Sequence, residues 1–420
     1  MSGITSLIKK ALGKKRGRIE KEWSFDSQSQ ILSSPVAEAK ENGENLIAFG
    51  TKDGHLYLLD GKRVKWSYNI QEKITDVQKL FQDQATARSI VCSPVIEDIN
   101  GDGSEEVLVG SDLGSLFAIS SEGQLIWQYD TSGAIRSSPL LIDINNDGIK
   151  EIVFGSSDGH LYVLNNQGQP IWKLSASSGI ETTPVVLTND EGTQIIYGSN
   201  DGTVYSTNFQ GVILWSFKAG GQITARATVG DLLGNGQQYI IIGSLDTNLY
   251  CLDDKGVLKW KFATEGGIHS QATLADIDND HKLEIIFGSC DDKVYALTCS
   301  GEKIWSFETD FWVVSSPVVA DIDDDGKLEV IVGSYDNSLY ILDAEGTFLL
   351  NYMPGVSAAA HQPGHYSDHL TGDTGHYCGK KLWQYKTEGM IVGSAVVGKD
   401  KEIIIGTNTG KIDAFRHKDD

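Results

Sequence analysis

The sequence is poor in the features that would make it disulfide-stapled, membrane-spanning or helical. Its five cysteines, Cys92, Cys251, Cys290, Cys299 and Cys378, form no closely spaced pairs, which argues against a disulfide framework. Four of them lie in or beside strand-like segments, where a free cysteine acts as a small hydrophobe. No run is long and apolar enough to span a bilayer. Lys9 and Lys10 interrupt the apolar residues of the N-terminus, so no secretory signal is read there. Ser2 follows Met1 where a myristoyl acceptor would need glycine. The chain therefore reads as cytoplasmic. A Ser-His-Asp arrangement and a glycine-rich phosphate loop are also missing.

Positive charge is scarce beyond the first residues. The formal net charge is −22. Lys9, Lys10, Lys14, Lys15, Arg16, Arg18 and Lys21 against Glu20 and Glu22 give residues 1–22 a charge of +5 and leave −27 on residues 23–420. An acidic body repels phosphate backbones, so nucleic acid is not expected as a partner. Residues 1–19 read as a basic amphipathic leader, with Ile4, Leu7, Ile8 and Leu12 on one helical face. Residues 1–18 are candidates for peripheral contact with an anionic membrane.

What is abundant is glycine, 46 residues, and much of it is periodic. A unit runs from Ser-Ser-Pro through an apolar stretch, an acidic turn, a second apolar stretch ending Gly-Ser, a short turn, Leu-Tyr-x-Leu, a Gly-containing turn and a Trp. The glycine of the Gly-Ser/Thr step recurs as Gly50, Gly110, Gly155, Gly198, Gly243, Gly288, Gly333 and Gly406, at spacings of 60, 45, 43, 45, 45, 45 and 73. The closing tryptophans keep the same phase: Trp23, Trp66, Trp127, Trp172, Trp215, Trp260 and Trp305, with Trp383 beyond a long insertion. Each unit holds four short β runs, such as Ser316–Ile322, Glu329–Ser334, Ser338–Asp343 and Phe348–Tyr352. No unit offers a ten-residue helical pattern, so a βα alternation is excluded.

Four antiparallel strands per 45-residue repeat describe a propeller blade, and eight of them an all-β, eight-bladed propeller over 20–418. The last unit lacks its Trp strand, and the segment around Trp23 has no unit before it. The N-terminal strand is expected to complete the last blade, which removes two exposed sheet edges at once.

The unit Leu161–Trp172, with Leu249–Trp260 and the run from Leu339, resembles the pyrroloquinoline-quinone-type repeat of eight-bladed quinoprotein and outer-membrane-assembly propellers. The Asp-x-Asp-x-Asp-Gly turns followed by Glu-Val-Ile-Val-Gly resemble the FG-GAP repeats of integrin-type propellers. The resemblance covers residues 23–415 and implies a fold more than a function, because such propellers serve enzymes and scaffolds alike.

Four turns carry oxygen ligands at alternate positions with a glutamate eight residues on: Asp98/Asn100/Asp102/Glu106, Asp143/Asn145/Asp147/Glu151, Asp276/Asp278/Asp280/Glu284 and Asp321/Asp323/Asp325/Glu329. Ca²⁺ takes six to eight oxygens, and such a loop supplies them. Gly103, Gly148 and Gly326 permit the turn; His281 stands there in the third. The alternative is a set of polar turns capped by Asx hydrogen bonds without metal.

Two insertions, 71–88 and 354–381, are placed after a Trp strand and before the next Ser-Pro strand, hence on one face. Ile74, Val77 and Phe81 give the first a short helical face. The second gathers His361, His365, His369, His376 and Cys378, ligand types suited to Zn²⁺ or another transition metal, at spacings that match no standard zinc motif. Just ahead of the Ser/Thr-Ser/Thr-Pro step, or its equivalent, stand Arg136, Glu181, Thr224 and His269, with Arg226 two further on. These are candidates to line the channel mouth and bind a small anion or peptide carboxylate; the alternative is a solvated charged rim.

The reading that joins these features is a non-catalytic scaffold for protein or ligand binding, with calcium-stabilised loops and a protein partner. Two alternatives are a quinoprotein-like oxidoreductase and a metal-dependent enzyme using the histidine-rich insertion over the channel. The adjacent Cys-Cys pair typical of the quinoprotein cofactor site is absent, which argues against pyrroloquinoline quinone.

Overall fold

The computed structural model describes residues 18–39, 45–70, 89–145, 147–344, 347–348, 377–378, 381–398 and 400–418. They form eight antiparallel sheets and contain no α-helix. The first seven blades follow chain order from Val36 to Lys386, and in six of them four consecutive strands run from the axis outward. The inner strands lie side by side around the axis: Val36–Ala39 touches Val95–Glu97 on one side and Val396–Val397 on the other, and Val396–Val397 touches Val318–Ala320.

The eighth blade closes the ring. Its three C-terminal strands end in Lys411–Lys418, and Arg18–Asp26 pairs antiparallel along that edge, with Trp23 opposite Ala414. The expected closure is therefore present.

The repeated residues serve the joints between blades. Any side chain at Gly50 would collide with Ile90 of the next blade, its Cβ 2.0 Å from Ile90 Cγ2, and Gly406 meets Ile31 across the closing seam at 2.9 Å. This is why the glycine recurs once per blade. The tryptophans latch outward: Trp66 Nε1 donates to Ser121 O, Trp127 to Asn166 O, Trp172 to Phe209 O and Trp305 to Ala344 O, at 2.9–3.0 Å, always one blade on. They are packing residues with one satisfied polar atom. In four blades the first residue of the Ser/Thr pair, or its equivalent, clamps the same glycine peptide, through Ser137, Thr182, Ser270 and Ser315: Ser137 Oγ, for example, accepts from Gly155 N at 2.8 Å and donates to Gly155 O at 3.0 Å. Cys92 holds that place in the second blade, with Gly110 N 3.1 Å from its Sγ.

The seventh blade corrects the expected strand limits. Its fourth strand is Lys381–Lys386, with Trp383 opposite Ile341, the same register that pairs Val163 with Trp172. Phe348–Tyr352 is not that strand. Thr347–Phe348 instead pairs with Tyr377–Cys378, which runs parallel to the outer strand of the sixth blade at Trp305–Ser306. The long insertion thus leaves from between the third and fourth strands of one blade, the side of the ring that carries the acidic turns. The first insertion leaves from between blades, on the opposite side. The described ends of the two insertions lie on opposite sides of the ring, because the Trp register belongs to Trp383 and the second insertion splits the blade ahead of it. Residues 71–88, the leader residues 1–17, and His361, His365, His369 and His376 lie outside the described residues, and of Cys378 only the backbone pairing is described.

Candidate functional site: the channel and its two mouths

On one side of the ring stand the acidic turns. In each, the first aspartate folds the loop onto itself: Asp98 Oδ2 accepts from Gly103 N at 2.8 Å, Asp143 Oδ2 from Gly148 N at 2.9 Å, Asp276 Oδ2 from His281 N at 3.0 Å and Asp321 Oδ2 from Gly326 N at 3.1 Å. The loop turns through a left-handed residue, glycine in three cases and His281 at φ +68° in the third turn. Asn100 Oδ1 and Asn145 Oδ1 accept from the amides of Asp102 and Asp147. In the two all-aspartate loops, one oxygen from each of Asp276, Asp278 and Asp280, and one from each of Asp321, Asp323 and Asp325, come within 4.8 Å of one another.

The glutamates fasten the loops to the blades with one oxygen, and in two loops the other oxygen faces the loop asparagine: Asn100 Nδ2 donates to Glu106 Oε1 at 3.3 Å and Asn145 Nδ2 to Glu151 Oε1 at 3.2 Å. Glu106, Glu151, Glu284 and Glu329 are buried, and each turns Oε2 inward to accept the amide of Ile99, Ile144, Ile277 or Ile322 at 2.8–3.1 Å. They are outside the two converging aspartate groups. Burial, with the loop aspartates nearby, pushes Glu284 and Glu329 up to about 7. The glutamate is thus first a cap that fastens the loop to the blade.

The donor set of Asp321, Asp323 and Asp325 fits a hard cation. Its oxygens converge, Asp321 Oδ1 is buried without a hydrogen-bond partner, and the Gly326 amide takes the other oxygen. Lys401 of the eighth blade competes there, pairing with Asp324 and standing 3.8 Å from Asp321 Oδ1. Lys282 similarly pairs with Asp280 at 2.7 Å in the third loop.

The opposite mouth is built by the connections between blades and the start of each inner strand. Alternate residues there face the channel, as the alternation of buried and partly exposed positions along 135–140 shows. The outermost ring is Leu32, Val91, Arg136, Glu181, Thr224, His269, Val314 and Val392. Four successive blades, the third to the sixth, give the polar half; the other four give an apolar half. The structure separates the sequence candidates. Arg136 Nε donates to Asp112 Oδ1 at 2.8 Å and Nη1 to Glu181 Oε1 at 3.4 Å, and Ser157 Oγ also donates to Glu181. One guanidinium is thus shared between two carboxylates. His269 Nδ1 lies 3.0 Å from Thr224 Oγ1, and burial lowers its pKa, favouring the neutral ring. Arg226 has no carboxylate within ion-pair distance among the described residues.

One feature of this mouth escaped the sequence reading. Between the fifth and sixth blades the connection is Glu265-Gly266-Gly267, and a Cβ at Gly266 would lie 2.4 Å from the amide nitrogen of Asp291. The equivalent between the sixth and seventh is Asp310-Phe311-Trp312. Phe311 and Trp312 stack at 5.2 Å and 4° and are each 44% exposed, and Tyr335 lies 6.4 Å from Trp312. The signal was present as a departure from the small residues at this position: Gly133, Ser178, Gly221, Gly266 and Gly389.

The family model described as the lambda-carrageenase beta-propeller domain matches this chain four times, over 91–141, 131–200, 185–260 and 256–355, together more than half its length. The chain belongs to that β-propeller family. In shape this propeller is similar to BamB from Moraxella catarrhalis, with TM-score 0.64, 17% identity, and coverage of 96% of this chain and 98% of that one. It is also similar to Sqt1 of Saccharomyces cerevisiae, with TM-score 0.67, 11% identity, and 95% and 99% coverage. A third similar structure is BBS1N in its complex with ARL6DN, with TM-score 0.52, 13% identity, and 77% and 91% coverage. At these identities the likeness is one of fold. No curated protein matches the chain in sequence.

Proposed function

We propose that this propeller is a non-catalytic scaffold that docks a protein partner on the mouth formed by the connections between blades. The observation that carries the reading is the Phe311–Trp312 pair. Two large aromatic side chains stand exposed beside the apolar half of the rim, Phe311 where other blades use glycine or serine and Trp312 where none of them has an aromatic residue. Exposed aromatics that adjoin an apolar surface are what protein interfaces concentrate at their centre. BBS1N, similar in fold, is known in complex with another protein, which adds support by analogy. The test replaces Phe311 and Trp312 with glycine, reproducing the Gly266-Gly267 connection. Wild-type and variant proteins, tagged in the source cells, are purified with their bound proteins. A protein bound stoichiometrically by the wild type and lost from the variant is expected; equal retention contradicts the reading.

The acidic turns take a supporting role in this account. Ca²⁺ held by Asp321, Asp323 and Asp325, and by Asp276, Asp278 and Asp280, would neutralise carboxylates packed at one end of the ring and stiffen those loops. The glutamates would hold the loops from below.

A further inference from the structure

We propose that the channel contains a carboxylate-binding site at the level of Arg226, between the fourth and sixth blades. One step below the mouth, the second residue of each Ser/Thr pair forms another ring: Ser34, Ser93, Ser138, Thr183, Arg226, Gln271, Ser316 and Ser394. The hydroxyls staple neighbouring blades. Ser138 N donates to Thr183 Oγ1 at 3.0 Å, Gln271 N to Ser316 Oγ at 2.9 Å, Ser316 N to Ser394 Oγ at 2.9 Å and Ser394 N to Ser34 Oγ at 2.8 Å. In these four blades the amide thus points along the channel wall at the next blade's hydroxyl.

At the step from Thr183 that acceptor is gone, because Arg226 offers only donors. The next step ends at Gln271, which also lacks the hydroxyl. Among the described residues no acceptor takes the amide N–H of Thr183 or of Arg226. The amides of Ser34 and Ser93 make no such bond either, but their neighbours Ser93 and Ser138 keep a hydroxyl, so only the sector at Arg226 adds a cation to the free amides. One sector of the channel therefore brings together two unused amide donors and a guanidinium with no acid to pair with. Arg226 is reached by solvent, yet the surrounding protein desolvates it and lowers its pKa, as suits a cation inside a narrow channel. A carboxylate would supply the missing counter-charge, accepting two hydrogen bonds from the flat guanidinium fork and others from the amides. It carries one negative charge, so the acidic body repels it less than a phosphate dianion. The group is supplied either by a small free acid or by a peptide's C-terminus.

The site is separate from the Phe311–Trp312 surface, so the two proposals fail independently. The experiment is isothermal titration of the full chain, at constant ionic strength made up with chloride. The ligands are acetate, citrate, and one short peptide prepared as the free acid and as the C-terminal amide. Saturable binding of at least one free acid is expected. Arg226→Ser, which installs the residue used by other blades and returns a hydroxyl to Thr183 N–H, should weaken binding at least tenfold with the thermal unfolding midpoint kept or raised. Phe311→Gly/Trp312→Gly should bind as the wild type does. Binding of acetate or citrate with no gain from the peptide acid assigns the site to small acids; a peptide acid at least tenfold tighter than its amide assigns it to a C-terminus. No binding of any acid, or equal binding by Arg226→Ser, overturns the proposal.

Discussion

The indole Nε1 of Trp23 donates to Glu402 Oε1 at 2.8 Å, while Asn45 Nδ2 donates to the other oxygen of the same carboxylate at 3.1 Å. One glutamate of the eighth blade thus ties the N-terminal strand to the first blade. Removing residues 1–26 would expose the edge of Lys411–Lys418, which invites pairing with other chains. The shortened protein is expected to unfold at lower temperature and to self-associate, read by calorimetry and sedimentation. Glu402→Gln keeps an acceptor for Trp23 and should cost less than Glu402→Ala.

The same seam sets a pH dependence. Lys418, despite some cost of burial, and then Arg416 hold Glu22 below its ordinary value, 4.5. A carboxyl whose pKa is lowered on folding stabilises the fold above the unfolded value and loses that contribution as pH falls through the folded one. Glu22→Gln should therefore cost up to about 1 kcal/mol at pH 7 and progressively less below pH 4.5. Denaturant unfolding at a series of pH values measures this.

Cys92 does the work of a serine. Burial pushes its thiol up to about 12, so it should resist alkylation until the protein unfolds. Cys92→Ser is expected to be nearly neutral, since serine fills this place in other blades. Cys92→Ala leaves the Gly110 amide unsatisfied and should cost about 1–3 kcal/mol.

For the acidic turns, terbium luminescence sensitised by nearby aromatics and displaced by Ca²⁺ is the direct assay. Asp323→Asn with Asp325→Asn should remove one class of sites. Lys401→Ala should strengthen it, because the competing ammonium leaves Asp321 and Asp324.

Much of this fold was legible because the repeat is geometric. Glycine marks where a blade meets its neighbour's isoleucine (valine at Val313), tryptophan marks the outer latch, and the unpaired Trp23 strand announced the closure. The seventh blade misled because its insertion precedes Trp383, leaving Phe348–Tyr352 looking like a fourth strand. That each loop glutamate caps an amide with one oxygen was not legible, because spacing does not show which way a carboxylate turns. That Arg136 bonds both Asp112 and, 45 positions away, Glu181 was not legible, because the repeat spacing does not show which rim charges meet. Phe311, Trp312 and Arg226 depart from the repeat, and aligning the units against one another exposes such departures.

The most direct test of the docking account is photo-crosslinking in the source cells from a reactive amino acid placed at Trp312, with the same group at Val257 on the outer rim as reference. The account predicts a discrete protein adduct from position 312 that position 257 does not give. Crosslinking from 257 alone, or no adduct from 312 while the protein is folded and expressed, would contradict it.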